Sequence, residues 1–192
     1  MSNRLLRAIN KAAWAHDGQL RKGTDIPYIS HVYAVMHLVS QQPGVDEDTQ
    51  IAALFHDILE DASGRYSAVA MEEEFGPEVV QLVKYVTKDD GLSSWRERAD
   101  AYVAQLDDAP AAALIIAACD KVHNLSSILT DYDEVGDALW QRFNSGKESQ
   151  RWWYWAVYET VQRRLRELEV EDLPVLDDYR DLLARFDAIG DA

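Results

Sequence analysis

The chain has 192 residues, 47% of them hydrophobic, and 34 Asp and Glu against 19 Lys and Arg give a net charge of −15. That length suits one domain with a full core and is short for two. The charge excludes broad binding to nucleic acid or to an anionic membrane, which would be repelled over most of the surface, so any anionic ligand must be held locally.

In chain order, "NRLLRAINKAAWAHDG" carries apolar residues at 5, 6, 9, 13 and 14, the spacing of one helical face, with Gly18 placed to end it. "RKGTDIPY" (21 to 28) reads as a loop, and "ISHVYAVMHLVSQQPG" as a second helix stopped by Pro43-Gly44. "DEDTQIAALFHDILEDA" (46 to 62) predicts a third, unbroken helix opened by acidic residues that suit a helix N-terminus. "YSAVAMEEEFG" and "PEVVQLVKYVTK" follow as a short pair around Gly76-Pro77. Then come "SWRERADAYVAQL", the apolar "APAAALIIAACDKVHNLSSIL" (109 to 129) and "SQRWWYWAVYETVQRRLREL" (149 to 168). No strand-like alternation stands between turn signals, so the expected architecture is all-α, an irregular bundle forming a single domain over residues 1–192. No uninterrupted apolar run reaches the roughly 18 residues of a membrane span, since Asp120 breaks the longest. The start lacks the pattern of a secretion signal, and the lone Cys119 fits a reducing compartment, so the expected location is cytoplasmic.

The polar exceptions to this pattern carry the chemistry. His31 opens the second helix, His56-Asp57 interrupt the third, and Asp120 lies inside the most apolar helix of all. On an unbroken helix His56 stands over Glu60 and Asp57 over Asp61, in two neighbouring columns. An isolated buried carboxylate at 120 would cost several kcal/mol unless paired or bound to a cation. Two histidines and two aspartates make a mixed nitrogen and oxygen donor set, which suits an octahedral divalent ion. Mn²⁺ fits it better than a structural zinc, which more often recruits cysteines. Taken singly, each of these residues is explained by a buried ion pair that fixes helix packing; their combination favours a metal. The remaining candidates read more plainly. His16 either borders the site or, more simply, answers a helix C-terminus; His37 is structural; His123 is close enough to Asp120 to support the metal, though packing is the simpler account; and Lys88 and Lys121 read as surface lysines, with added positive potential around phosphates the alternative. Trp152, Trp153 and Trp155 form a packing face, and the acidic run at 71 to 76 is a solvated helix face. Tyr28 either lines a pocket or closes the start of the second helix.

Four stretches, "HxxxxRKGTDIPYISH" (16 to 31), "FHDILED" (55 to 61), "VTK" (86 to 88) and "CDKVHNL" (119 to 125), occur in the order and spacing of the HD-superfamily hydrolase domain of RelA/SpoT-type proteins. The chain resembles in particular the small stand-alone alarmone hydrolases. The resemblance covers about residues 5–130; the helices of about 131–192 match only in being helical and aromatic. It implies His31, His56, Asp57 and Asp120 as metal ligands, and Glu60 and Asp61 as the pair that hydrolase-competent members need. It implies substrate contacts from Arg21, Lys22, Asn124 and Ser127, the last where the hydrolases often have threonine. Val32 stands where the family motif has proline. The implied activity is Mn²⁺-dependent removal of the 3′-pyrophosphate from guanosine tetra- or pentaphosphate. In that scheme Glu60 orders a water or moves its proton, and Arg21 and Lys22 neutralise phosphate charge. An HD phosphohydrolase acting on another nucleotide such as NADPH is the nearest alternative. A non-catalytic alarmone-binding module is the other, and the intact Glu60 and Asp61 weigh against it. The partner implied is a small-molecule nucleotide, and the sequence leaves the oligomeric state open.

Overall fold

A computed structural model of the chain describes residues 1–89, 91–143 and 145–189. Its elements are α1 (Asn3–Ala15), α2 (Ile29–Ser40), α3 (Glu47–Phe55), α4 (Ile58–Asp61), α5 (Ala68–Phe75), α6 (Pro77–Val86), α7 (Trp95–Asp107), α8 (Ala111–Val135), α9 (Gly146–Glu167) and α10 (Pro174–Ala188), with a 3₁₀ segment at Gly136–Arg142. No strand occurs among the described residues, as the sequence predicts; a single bridge between Leu20 and Pro27 closes the basic loop.

Local chemistry sets the helix starts. The Ser2 hydroxyl accepts from Leu5 N–H and Asp46 Oδ1 from Thr49 N–H, at 3.0 and 2.8 Å. Ser94 and Glu97 form a reciprocal capping box that opens α7. Pro77 and Pro174 occupy first turns, where a missing N–H costs nothing.

α8 is the axis of the bundle. It packs against α2, α3 and α6 on one side and against α9 and α10 on the other. Every residue from Ala113 to Val122 is buried, so the apolar run is apolar because it faces neighbours all round. Its length and composition suffice to cross a membrane, but 72% of that apolar window is buried inside the protein, which makes it a core helix. Phe55 is fully buried at the end of α3, edge-on to Tyr66 and Phe75 with ring centroids 5.7 and 5.0 Å away. Phe55→Ala should destabilise the protein by about 3–5 kcal/mol, since Phe75 is held by α5 and the buried Tyr66 by the bend before it, so the deletion leaves a cavity. Urea unfolding of the metal-free protein measures this.

Three expectations change. The third helix is not continuous: α3 stops at Phe55 and a separate turn, α4, begins at Ile58. In a continuous helix Ala53 C=O would accept from Asp57 N–H; instead it meets His56 Nδ1 at 2.7 Å, so the histidine ring competes for the helix's own acceptor. The turn that would stand His56 over Glu60 is therefore lost, while Asp61 N–H still bonds to Asp57 C=O at 2.9 Å and keeps Asp57 one turn before Asp61. The apolar helix runs on to Val135, six residues past Leu129 where the sequence pattern ends. Finally α1 ends at Ala15, with Gly18 beyond it at φ +81°, a conformation that suits glycine in the turn leading to the loop. Val32 is fully buried inside α2, and the helix starts at Ile29 without the family's proline.

Candidate metal centre and substrate pocket

The break between α3 and α4 builds half of the centre. On a regular helix adjacent side chains diverge by about 100°. Here His56 Nε2 and Asp57 Oδ2 converge to 2.9 Å. α2 brings His31, whose Nε2 lies 3.2 Å from His56 Nε2 and 3.3 Å from Asp57 Oδ2. α8 brings Asp120, with Oδ1 3.3 Å from His31 Nε2 and 3.7 Å from His56 Nε2. Neighbouring ligands on an octahedral ion with bonds of about 2.1 Å stand about 3 Å apart, so these separations suit a shared cation.

The donor chemistry passes the same test. His56 Nδ1 donates to Ala53 C=O, which leaves Nε2 as a lone pair aimed at a second imidazole nitrogen and at two carboxylates. Such a set of acceptors is stable only around positive charge. In the bare site that charge is a proton: burial opposes a charged His56, but Asp57 and then Asp120 outweigh it and hold the ring up at about 9. Burial also opposes the charge on both aspartates, yet His56 draws Asp57 below the usual carboxylate range, and Lys121 with the two histidines does the same for Asp120. A divalent ion meets the same demand with more charge.

Around the four candidate ligands stands a ring of supporting contacts. Tyr28 O–H donates to Asp57 Oδ2 at 2.6 Å, and its own ring stacks on the buried His16. Asn124 Nδ2 donates to Asp120 Oδ1 at 2.5 Å, and the Asn124 oxygen accepts from Arg21 at 2.7 Å. His123 Nδ1 lies 2.8 Å from His31 Nδ1.

Tyr28, His123 and Asn124 are also walls of a cavity of about 750 Å³, so the cavity floor touches the metal centre through three hydrogen bonds. The volume lies within the range of small-molecule sites, about 300–1,000 Å³. Six of the chain's 19 Lys and Arg line it, against Glu60 and Asp131. A protein with a net charge of −15 thus concentrates positive charge at one concavity, the local capture that its overall charge requires.

Five of the six basic residues form two groups. Arg21, Lys22 and Arg142 gather at the loop, where Gly23 adopts φ +76° and a Cβ would come within 3.1 Å of the Arg142 side chain. Asp131 holds Arg142 at 2.9 Å, and Lys22 lies over the Phe143 ring. On the other side, Lys88 and Lys121 lie 5.1–5.7 Å from the centroids of Tyr102 and Trp153. Glu60 joins this second group: its Oε1 accepts from Lys88 N–H at 2.6 Å and its Oε2 lies 3.7 Å from the ammonium. Burial raises the Glu60 carboxyl, against the pull of Lys88.

Several residues take roles that the sequence pattern does not give them. Lys121 is not a surface lysine but is 4% exposed and ion-paired with Asp120. Lys88 is half-buried in the cavity wall. Trp153 is a cavity wall rather than only a packing face, while Trp152 and Trp155 pack as expected, against Trp95 and Tyr158. His16 is buried under Tyr28 with Nδ1 2.6 Å from Gln19 Oε1, a place inside the site's support. Ser127 lines the cavity and donates to His123 C=O at 3.0 Å. Asp61 stands exposed and outside the cavity lining; its carbonyl accepts from Gln19 at 2.9 Å. Arg98, Arg142, Gln150 and Tyr154 are cavity residues that no motif announces, because they come from α7, the 3₁₀ segment and α9.

An all-α bundle that converges two histidines and two aspartates from three places in the chain defines a histidine–aspartate domain whose cluster suits a divalent ion. The HD domain family model matches residues 8–144, and the chain belongs to that family. Among curated relatives, the guanosine-3′,5′-bis(diphosphate) 3′-pyrophosphohydrolase MESH1 of Drosophila melanogaster is 33% identical over 129 residues, covering 66% of this chain and 70% of that protein. A probable GTP pyrophosphokinase of Mycobacterium leprae is 36% identical over 126 residues, 64% of this chain but only 15% of its own length. Among solved structures, a metazoan ortholog of SpoT, described as hydrolysing ppGpp and acting in starvation responses, superposes with a TM-score of 0.77 at 25% identity over 98% of each chain.

Proposed function

We propose that the protein is a cytoplasmic, Mn²⁺-dependent hydrolase that removes the 3′-diphosphate of guanosine tetra- and pentaphosphate as pyrophosphate. The observation that carries this reading is the placement of Glu60 in the wall of a strongly basic cavity whose floor is bonded to the His31, His56, Asp57 and Asp120 cluster. The names of the relatives support the same substrate.

When bound, the divalent ion supplies Lewis acidity, acidifying a coordinated water and polarising a phosphoryl oxygen. The chain's own residues do the rest. Glu60, with its carboxyl raised by burial, takes the proton of the attacking water at Oε1 or Oε2. Asp61, on the exposed side, assists by field rather than by contact. Two basic groups suit a substrate carrying diphosphates at two positions: Lys88 and Lys121 beside Glu60 take the diphosphate that leaves, and Arg21, Lys22 and Arg142 take the one that stays. Tyr28, Asn124 and Ser127 complete the wall against the nucleoside. A binding-only module has no use for a carboxylate desolvated beside such charges.

The test is release of pyrophosphate from guanosine tetraphosphate with Mn²⁺, with phosphate release from NADPH measured in parallel and a chelator added to each. Pyrophosphate release that the chelator stops supports the proposal. Turnover of NADPH alone replaces the substrate, and no turnover of either by metal-loaded protein leaves a binding module. Arg142→Ala should raise KM for guanosine tetraphosphate about 10- to 100-fold through the lost charged contact while leaving Mn²⁺ affinity unchanged. An unchanged KM would remove Arg142 from the substrate site.

A further inference from the structure

His123 follows Asp120 by three residues on α8, and its ring is both half-buried and part of the cavity wall. Its Nδ1 lies 2.8 Å from His31 Nδ1, with ring centroids 4.7 Å apart. At that distance one nitrogen carries a proton and the other a lone pair.

The metal centre settles which nitrogen carries each proton. His31 turns Nε2 toward His56 Nε2, Asp57 and Asp120, and ligation there requires a bare Nε2. The His31 proton therefore sits on Nδ1 and is donated to His123 Nδ1. A neutral His123 that accepts at Nδ1 keeps its own proton on Nε2. That nitrogen has no protein partner among the described residues and is not buried.

We propose that His123 is a positioning and substrate-binding residue: it fixes His31 in the tautomer that ligates through Nε2, and the same hydrogen bond turns its own Nε2–H into the cavity as a donor for a substrate phosphoryl oxygen. The inference rests on the metal-centre reading above. It links the two halves of the site, since one hydrogen bond both orients a ligand and presents a neutral donor beside the bound anion. Among the basic groups of the cavity, such a donor adds direction without adding charge.

Two variants of the full chain separate this role from packing. His123→Asn keeps an oxygen near the position of Nδ1 and loses the distal N–H. Mn²⁺ affinity by titration calorimetry should stay near that of the wild type, while KM for guanosine tetraphosphate rises about 10-fold or more. His123→Phe keeps the ring and loses both bonds, so Mn²⁺ affinity should fall about 10- to 100-fold as well. A packing role predicts the reverse order, with phenylalanine tolerated and asparagine harmful to both. Long-range ¹⁵N–¹H spectra of the wild type loaded with diamagnetic Zn²⁺ provide a readout that does not depend on a variant. They should show the proton on Nδ1 of His31 and on Nε2 of His123. A His123 proton on Nδ1, or wild-type metal affinity in His123→Phe, overturns the inference and leaves the metal centre standing. A wild type that binds no divalent metal overturns both.

Discussion

Asp57→Ala should lose the bound divalent cation and, with it, turnover by about 10³-fold or more. A metal ion contributes several kcal/mol of transition-state stabilisation, and each 1.36 kcal/mol is about tenfold in rate. Asp57 lies within 3.3 Å of both imidazole nitrogens, so its removal takes away a carboxylate close to both. Metal content after dialysis and the rate of pyrophosphate release should fall together. In the bare protein Asp57 is also the chief counter-charge to His56 and the acceptor of the Tyr28 hydroxyl, so Asp57→Ala should lower the Tm of the metal-free protein, and metal content and rate are read at a temperature where circular dichroism shows the variant folded. A variant that keeps its metal and its rate would remove Asp57 from the ligand set.

Glu60→Gln should leave Mn²⁺ affinity unchanged and lower kcat by about 10²- to 10⁴-fold, the usual contribution of a positioned general base. Glutamine keeps the shape and still offers an oxygen to Lys88 N–H, so the cavity wall is preserved. It cannot accept the proton of the attacking water. KM should change little, because the proton moves only in the transition state. A kcat near that of the wild type would assign the base elsewhere, with Asp61 the next carboxylate along α4.

Much of the centre was legible because its cost is written in the sequence. Asp120 sits in a run of alanine, leucine and isoleucine that buries every residue from 113 to 122, and only a strong counter-charge makes that tolerable. His31, His56 and Asp57 could be joined to it through the resemblance to RelA/SpoT-type domains, and the structure brings all four together. The helix break at His56-Asp57 was not legible. Helical periodicity runs unbroken through "IAALFHDILED", and what interrupts it is a side-chain bond from His56 to Ala53 C=O that no spacing rule encodes. Lys121 was misread for a related reason: lysine is surface by composition, and only the neighbouring Asp120 on a fully buried helix makes it interior. The far wall of the cavity lay beyond any motif. Arg142 and Phe143 come from a 3₁₀ segment and its exit, and Gln150 and Tyr154 from an aromatic helix that reads as ordinary packing.

That far wall bears on how the protein matures. The four candidate ligands are all present once residue 120 has been made, but the cavity is closed by Leu139, Arg142, Phe143, Gln150, Trp153 and Tyr154, and α10 must still dock on α8 and α9. The contacts that seal the ends are distant in sequence: Val175 N–H donates to Gln42 Oε1 across 133 residues, and Arg21 reaches Asn124 across 103. Contacts of such separation form late, because a long loop must close before they are gained. On the proposed function, the order of synthesis therefore separates the ability to hold a metal from the ability to hold a nucleotide. A nascent chain with the first remains open on the substrate side until α9 has folded back.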